Sequence, residues 1–532
     1  PRSTLFPYTT LFRSSMKQFA ELPDVDIAPK GTILVISPWN FPCAIPIGGI
    51  VAGLAGGNTV ILKPATVAAP VAWLFAKAFW DAGVPKEALQ VIITDREALK
   101  VLTTAPAVKH IILTGGTDTA QNIARSNPAT PLSAETGGKN AIILTASGDR
   151  DHAIMNIVAS AFGNAGQKCS ACSLLLVERS VYEDKNFQDK LKDAATSMKV
   201  GSVWNPGNVV GPMITNKNDK LLKALELEKG ESWLVPPRFL DKHKYVLAPT
   251  VKWGVRPGNY SFRTELFGPM LSVVCIENLQ QGIDLVNSLE YGLTSGLQSL
   301  DEGEQKLWKD SIMAGNLYIN RGITGAIVNR QPFGGMKLSA FGGGVKAGGP
   351  NYCACFVNIA DKPGSTTDYT QSYVKAYEQE FAHARDVNNL YGEQNAFRYL
   401  PLKNMVLRLF PGDNNEDAKM IALAARICHT PLSISFEPGD DRTAALASLG
   451  CPLKEEALAG FLKSMKNYER IRTCGADIPM EMYEEAARID KYIATAKPVK
   501  DGRVELIHYI KEQSISFEYH RYGSILEVPP VE

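Results

Sequence analysis

No charge of one sign dominates this chain. Its 532 residues hold 56 lysines and arginines against 55 aspartates and glutamates, a net +1. That balance removes the electrostatic case for nucleic acid or an anionic membrane as partner. Long unbroken apolar runs are also missing. The best of them, residues 45–62, is interrupted by glycines and Asn58, so no transmembrane helix is expected. The nine cysteines are sparse for the length, odd in number and without disulfide-like spacing, which fits a reducing, cytoplasmic setting. Cys169-x-x-Cys172 and Cys353-x-Cys355 do not make a four-cysteine zinc spacing, and none of the seven histidines lies close to them in sequence. No metal is expected. The dinucleotide fingerprint G-x-G-x-x-G is absent, so the glycines alone do not support an ordinary Rossmann assignment.

What is present first is a presented thiol. Gly163-Asn164-Ala165-Gly166-Gln167-Lys168-Cys169-Ser170-Ala171-Cys172 places a cysteine between small residues, just ahead of the apolar run Leu174-Leu175-Leu176-Val177. A thiol at the mouth of a strand, with room beside the sulfur, is a candidate nucleophile. Around it the chain alternates short apolar strands with helices, beginning with Gly31-Thr32-Ile33-Leu34-Val35-Ile36 and Thr59-Val60-Ile61-Leu62. That alternation predicts a doubly wound α/β domain with ligands at the carboxyl ends of its strands. Those ends carry Asn40, Lys63 and the pair Gly115-Gly116, where the backbone could approach a phosphate at a helix N-terminus. Each has a bland reading as well, as a solvated lysine or a plain turn.

Glu135, in Ser133-Ala134-Glu135-Thr136-Gly137-Gly138-Lys139, reads as a loop carboxylate, either a cap or the base that would serve Cys169. Cys172 reads as a small buried hydrophobe. The run Phe341-Gly342-Gly343-Gly344-Val345-Lys346 is too glycine-dense for regular structure, and residues 358–371 read as a linker. Beyond it, residues 405–410, 418–428 and 432–436 read strand, helix, strand. Helices at 453–465 and 480–494 and an extended segment at 514–519 complete a further α/β unit, for which a structural role is expected. Residues 1–15 contain a near-repeat, Ser3-Thr4-Leu5-Phe6 against Thr9-Thr10-Leu11-Phe12, and read as a non-native leader.

Seven motifs then fall in one order: Pro38-Trp39-Asn40-Phe41-Pro42, Lys63-Pro64, Thr114-Gly115-Gly116, Glu135-Thr136-Gly137-Gly138-Lys139, Gly166-Gln167-Lys168-Cys169, Glu265-Leu266-Phe267-Gly268-Pro269 and Pro332-Phe333-Gly334-Gly335. In this the chain resembles the aldehyde dehydrogenase superfamily over residues 31–355. Gly325-Ala326-Ile327-Val328 and Lys346-Ala347-Gly348-Gly349-Pro350 look like its L-glutamate γ-semialdehyde (1-pyrroline-5-carboxylate) dehydrogenase branch. The tail, with Gly392-Glu393-Gln394-Asn395 and Tyr519-His520-Arg521-Tyr522-Gly523, is similar to the C-terminal extension of bifunctional proline utilization A proteins.

The resemblance implies NAD-dependent oxidation of that semialdehyde to L-glutamate in proline catabolism, through a thiohemiacetal and a thioester on Cys169. It makes Glu135 the base that activates water and Asn40 an oxyanion donor. Ser37, Trp39, Lys63, Thr66, Gly115, Gly116, Glu265 and Phe267 become the cofactor side. Phe41, Ser170, Gly325, Ala326 and Phe333 become the substrate side. The substrate is a small aldehyde, and a homo-oligomer is expected.

Three departures qualify it. Thr66 stands where NAD-preferring members often have a glutamate, so NADP use is expected to be tolerated. Gly116 stands where serine is usual. Little chain precedes the Pro-Trp-Asn motif, so a start truncated relative to the family, with no upstream proline dehydrogenase domain, is expected. The expected division is a cofactor-binding part over 16–136, a catalytic part over 137–340, a glycine-rich segment and linker over 341–371, and a C-terminal α/β domain over 372–532. The alternative reading is a catalytically weak fragment with a structural or assembly role.

Overall fold

The computed structural model describes residues 16 and 18–525 apart from 441 and 476, and the expected leader lies outside them. The apolar strands expected near the start form a six-stranded sheet in the order Ala340–Phe341, Leu132–Glu135, Val108–Thr114, Thr32–Ser37, Thr59–Pro64, Leu89–Val91. All pairs are parallel except Ala340–Phe341, which runs antiparallel to Leu132–Glu135. Ile33, Leu34 and Val35 are sealed from solvent on both faces of the central strand, as a parallel strand with helices on each side requires.

A nine-stranded sheet follows, in the order Glu393–Pro401, Ile510–Glu518, Asn316–Ile319, Thr294–Gln298, Asn140–Leu144, Cys172–Glu178, Met270–Ile276, Thr250–Trp253, Ser232–Val235. Along Asn140–Leu144 the residues Ala141 and Ile143 enter one core cluster, and Ile142 and Leu144 enter the other. The sheet is therefore packed on both faces. Its seven inner strands are parallel, and the outer strands Glu393–Pro401 and Ser232–Val235 are antiparallel to their neighbours.

A third, all-parallel sheet has the order Leu453–Glu455, Leu432–Phe436, Met405–Arg408, Arg470–Arg472, Tyr492–Ala494. Four details differ from the sequence expectation. Residues 510–518 do not complete this sheet. They pair with Asn316–Ile319, because a strand's own alternation does not say which sheet supplies its partner. Leu453–Glu455 and Tyr492–Ala494 are strands where helix was expected to start and to continue. Glu135 ends a strand and does not sit in a loop, since its backbone is paired with Thr114 and Ala340. Finally, Val357–Asp361, at the expected linker, pairs antiparallel with Val25–Pro29 in a two-stranded ribbon.

Candidate active site

The sulfur of Cys169 is delivered by a short distorted helix, Gly163–Gly166, in which Asn164 and Ala165 take left-handed backbone angles of φ 58° and 54°. Gly166 follows at φ 66°, and a Cβ there would lie 2.2 Å from the Gly268 carbonyl, so only glycine lets the two loops touch. Gln167 ties the turn down, accepting from Ile214 N–H (2.8 Å) through its side-chain oxygen. The Asn40 amide donates to Gln167 O (3.1 Å), which joins the Pro-Trp-Asn-Phe-Pro segment to the cysteine loop.

Cys169 sits half-buried on the wall of a cavity of about 240 Å³. The same cavity is lined by Ser37, Phe41, Glu135, Ser170, Ala326 and Phe333. Seven expected site residues thus share one wall. Gly325 does not line it; its carbonyl accepts from the Tyr318 hydroxyl and fixes the loop beside Ala326. Cys172 is buried, its thiol directed to Leu174 O at 3.2 Å.

The electrostatics favour a neutral thiol in this state. Burial, then the carboxylates Glu265 and Glu135, push Cys169 up to about 12, against backbone N–H groups that lower it. Glu135 is itself raised by burial, while Lys346 and the Gly335 N–H (2.9 Å) pull it back. Lys346 is lowered by burial and held up by Glu135 and Glu512. Its ammonium donates to Gly334 O and to Asn316 Oδ1 (3.1 Å), and its backbone N–H donates to Glu512 (2.6 Å). Glu512, raised by burial, also accepts from Asn351 (2.7 Å). Two carboxylates thus flank one buried ammonium behind the cavity. Sequence reasoning gave Lys346 and Glu512 no role. A lysine inside a glycine-dense run was a usable signal; Glu512, one charge inside an otherwise ordinary strand, offered none.

The remaining cofactor-side candidates lie outside this cavity. Trp39 and Phe267 meet edge to face, with ring centroids 5.7 Å apart. The Glu265 carboxylate accepts from Gly138 N–H (2.8 Å) and lies where a Cβ on Gly137 would fall, which requires glycine there. Gly115 N–H donates to Glu135 O (3.1 Å), and Gly116 opens the helix Thr117–Ser126 without a side-chain cap. Lys63 ends its strand half-buried, lowered by burial and with no hydrogen bond or ion pair among the described residues. Thr66 is exposed at the start of the turn Thr66–Ala68. The buried Ser37 hydroxyl has no hydrogen-bond partner among the described residues. An orphaned hydroxyl, an unpaired ammonium and an uncapped helix start at neighbouring strand ends fit the hydroxyls and phosphates of a dinucleotide.

The sequence pattern of the aldehyde dehydrogenase family matches residues 12–361. The chain belongs to that family. Among curated members it is similar to 1-pyrroline-5-carboxylate dehydrogenase of Geobacillus sp. (strain WCH70), 36% identical over 335 residues that cover 61% of this chain and 64% of the relative. The enzyme of that name from Bacillus subtilis (strain 168) is 35% identical over 333 residues, 60% of this chain and 64% of the relative. The chain therefore spans just under two thirds of these aldehyde dehydrogenases. Among solved structures, proline utilization A from Corynebacterium freiburgense superposes with a TM-score of 0.86 at 36% identity, over 97% of this chain and 53% of that one. A Thermus 1-pyrroline-5-carboxylate dehydrogenase with bound NAD gives 0.61 at 32%, over 66% and 72%. The family match ends at residue 361, so the third sheet and the strands contributed by residues 393–401 and 510–518 lie beyond it. Among the described residues, no helix is long and apolar enough to cross a membrane.

Proposed function

We propose that this chain oxidises L-glutamate γ-semialdehyde to L-glutamate, with NAD as electron acceptor and Cys169 as nucleophile. The observation that carries the reading is that Cys169 and Glu135 open on one cavity whose walls also hold Phe41, Phe333 and Ser170. The likeness to 1-pyrroline-5-carboxylate dehydrogenases supports the substrate class.

The Cys169 thiol gives its proton to solvent, and Sγ adds to the aldehyde carbon as its C=O π pair moves to oxygen, giving a thiohemiacetal oxyanion. The Asn40 amide and the Cys169 N–H hold the developing oxyanion, a donor of this kind being worth about 3–4 kcal/mol. Lys63, Glu265, Trp39 and the Gly115-Gly116 turn would hold NAD+, which when bound would supply the hydride acceptor. Cys169 is left as a thioester. Glu135, its carboxylate fixed by Gly335 N–H, takes a proton from water attacking that thioester, which gives a carboxylate product. Phe41 and Phe333 flank the aliphatic stem. Ser170 Oγ and the Ala326 backbone N–H donate to the α-carboxylate. The test is NADH formation from this semialdehyde by wild type and Cys169→Ala. Equal rates would sink the mechanism, and no turnover by wild type with acetaldehyde or the semialdehyde would sink the activity.

A further inference from the structure

A larger cavity, about 620 Å³, lies away from Cys169, between the amino ends of the six-stranded sheet and the last strands of the five-stranded sheet. Lys30 and His110 line it from one side, and Arg470, Lys491, Lys497 and His508 from the other. Two buried cations elsewhere in the protein are ion-paired, Lys252 with Glu231 at 2.8 Å and Arg472 with Glu505 at 3.0 Å. The cavity's cations make no ion pair among the described residues, and Glu469, the carboxylate that faces Arg470 and Lys491, is engaged by Lys511 at 2.7 Å. Arg470, only 5% exposed, spends its guanidinium on the carbonyls of His508 (2.7 Å), Gly343 (2.8 Å) and Ile510 (3.4 Å). Lys30 donates to Cys355 O at 2.7 Å and lies 3.4 Å from His110 Nδ1. Carbonyl oxygens satisfy donors but supply no countercharge, and a buried charge short of countercharge is costly.

Glu505 is the one carboxylate among the lining residues, and it is consumed by Arg472, by the Tyr509 hydroxyl (2.7 Å) and by Val499 N–H (3.0 Å). The His508 imidazole, desolvated and facing the charges of Arg472, Arg470 and Lys30, has no hydrogen-bond partner among the described residues. The ammonium groups of half-buried Lys491 and exposed Lys497 likewise make neither hydrogen bond nor ion pair there. The wall around these groups is apolar, with Tyr492, Ile493 and Val357.

We infer that this cavity is a binding site for a small organic anion, a carboxylate or phosphate on a partly apolar body, whose charge compensates Arg470 and Lys30 and whose oxygens take the free donors of Lys491, Lys497 and His508. The site does not rest on the dehydrogenase reading, and none of its residues is placed in that machinery.

The test is titration calorimetry on the full chain with benzoate and, separately, inorganic phosphate. One-to-one binding is expected, tighter for benzoate if the apolar wall contributes. In the Lys491→Gln/Lys497→Gln variant, which breaks no side-chain hydrogen bond or ion pair of the fold, affinity for the bound anion should fall by about tenfold or more. His508→Gln keeps a neutral donor and should weaken it less. Circular dichroism of both variants should match wild type. No heat with either anion, or affinity unchanged in the double-lysine variant, overturns the site.

Discussion

Apart from the antiparallel edge strand Ala340–Phe341, the six-stranded and five-stranded sheets order their strands alike. In each, the first strand of the unit sits centrally, Thr32–Ser37 in one and Met405–Arg408 in the other. The second and third strands lie to one side, and the fourth and fifth to the other. A doubly wound sheet of this order opens a crevice at the carboxyl ends, beside the point where the strand order reverses. In the six-stranded sheet that edge carries an unpartnered Ser37 hydroxyl, an unpaired Lys63 and the Gly115-Gly116 turn. In the five-stranded sheet it is closed by three arginines. Arg408 reaches Ser435 Oγ (2.8 Å) and Glu437, Arg442 reaches Asp440 (2.8 Å) and the Phe410 carbonyl (3.0 Å), and Arg472 reaches Glu505 and the Ala494 carbonyl (3.1 Å). Strand order offers a crevice; side chains decide whether a ligand can enter it.

The hardest way to break that contrast is at the cysteines. Cys169→Ala should lower NADH formation by about 10⁴-fold or more, as loss of a covalent nucleophile does. Cys474→Ala, at a buried thiol next to the end of Arg470–Arg472, should leave the rate unchanged. Steady-state rates for both variants check this, and a large loss in the second would put chemistry in the closed sheet.

Next in size is Arg472→Met. Both partners of the Arg472–Glu505 pair are sealed from solvent, so the substitution strands a buried carboxylate at a cost of about 3–5 kcal/mol. Calorimetry should show a lower melting transition, while activity per folded molecule persists. An unchanged melting temperature would mean that the closed edge is not held by its arginines.

Lys346→Met probes the other kind of buried charge, the one behind the open site. The groups facing Glu135 are Lys346, Cys169, Tyr352 and the Gly335 N–H. Only the first is a cation. Lys346 lowers the Glu135 pKa, so its removal raises that pKa further. A base must be ionised to act, so the rising limb of the pH–rate profile should move to higher pH by about one unit, a tenfold loss on that limb. Lys346→Arg should restore part of it. A uniform loss at every pH would make Lys346 a packing residue only.

Legibility followed the same contrast. Cys169 stood out in the sequence by its small neighbours ahead of a short apolar strand, while Glu135 and the strand ends stood out only through the resemblance of their motifs; that Cys169 and Glu135 open on one cavity is what the structure adds. The arginines that close the second sheet did not stand out. Arg408 and Arg472 lie in short strands, where a charge reads as solvent-facing, and their burial depends on carbonyls and carboxylates distant in sequence. Glu512 was hidden for the same reason, since its partner Lys346 is reached only once residues 510–518 join the nine-stranded sheet. The long-range pairings of Val25–Pro29 and Ile510–Glu518 were equally unreadable, because period-two alternation marks a strand without naming its neighbour.

The smallest expected effect sharpens the claim that the open edge is reachable. Thr66 is exposed, three residues beyond the unpaired Lys63. If this strand end faces the adenosine ribose, a carboxylate at 66 repels a 2′-phosphate and can accept from the two ribose hydroxyls of NAD. Thr66→Glu should therefore raise the NAD-over-NADP ratio of kcat/KM by about tenfold, near 1.4 kcal/mol. Being exposed, the new charge is screened, so the gain should shrink as ionic strength rises. Stability should stay within about 0.5 kcal/mol of wild type, as for other surface changes. The matching change on the closed sheet, Glu437→Gln, removes a partner of Arg408 and should leave the cofactor ratio alone. If Thr66→Glu also leaves it alone, the ribose does not lie at the end of Thr59–Pro64, and the two edges differ in chemistry without differing in use.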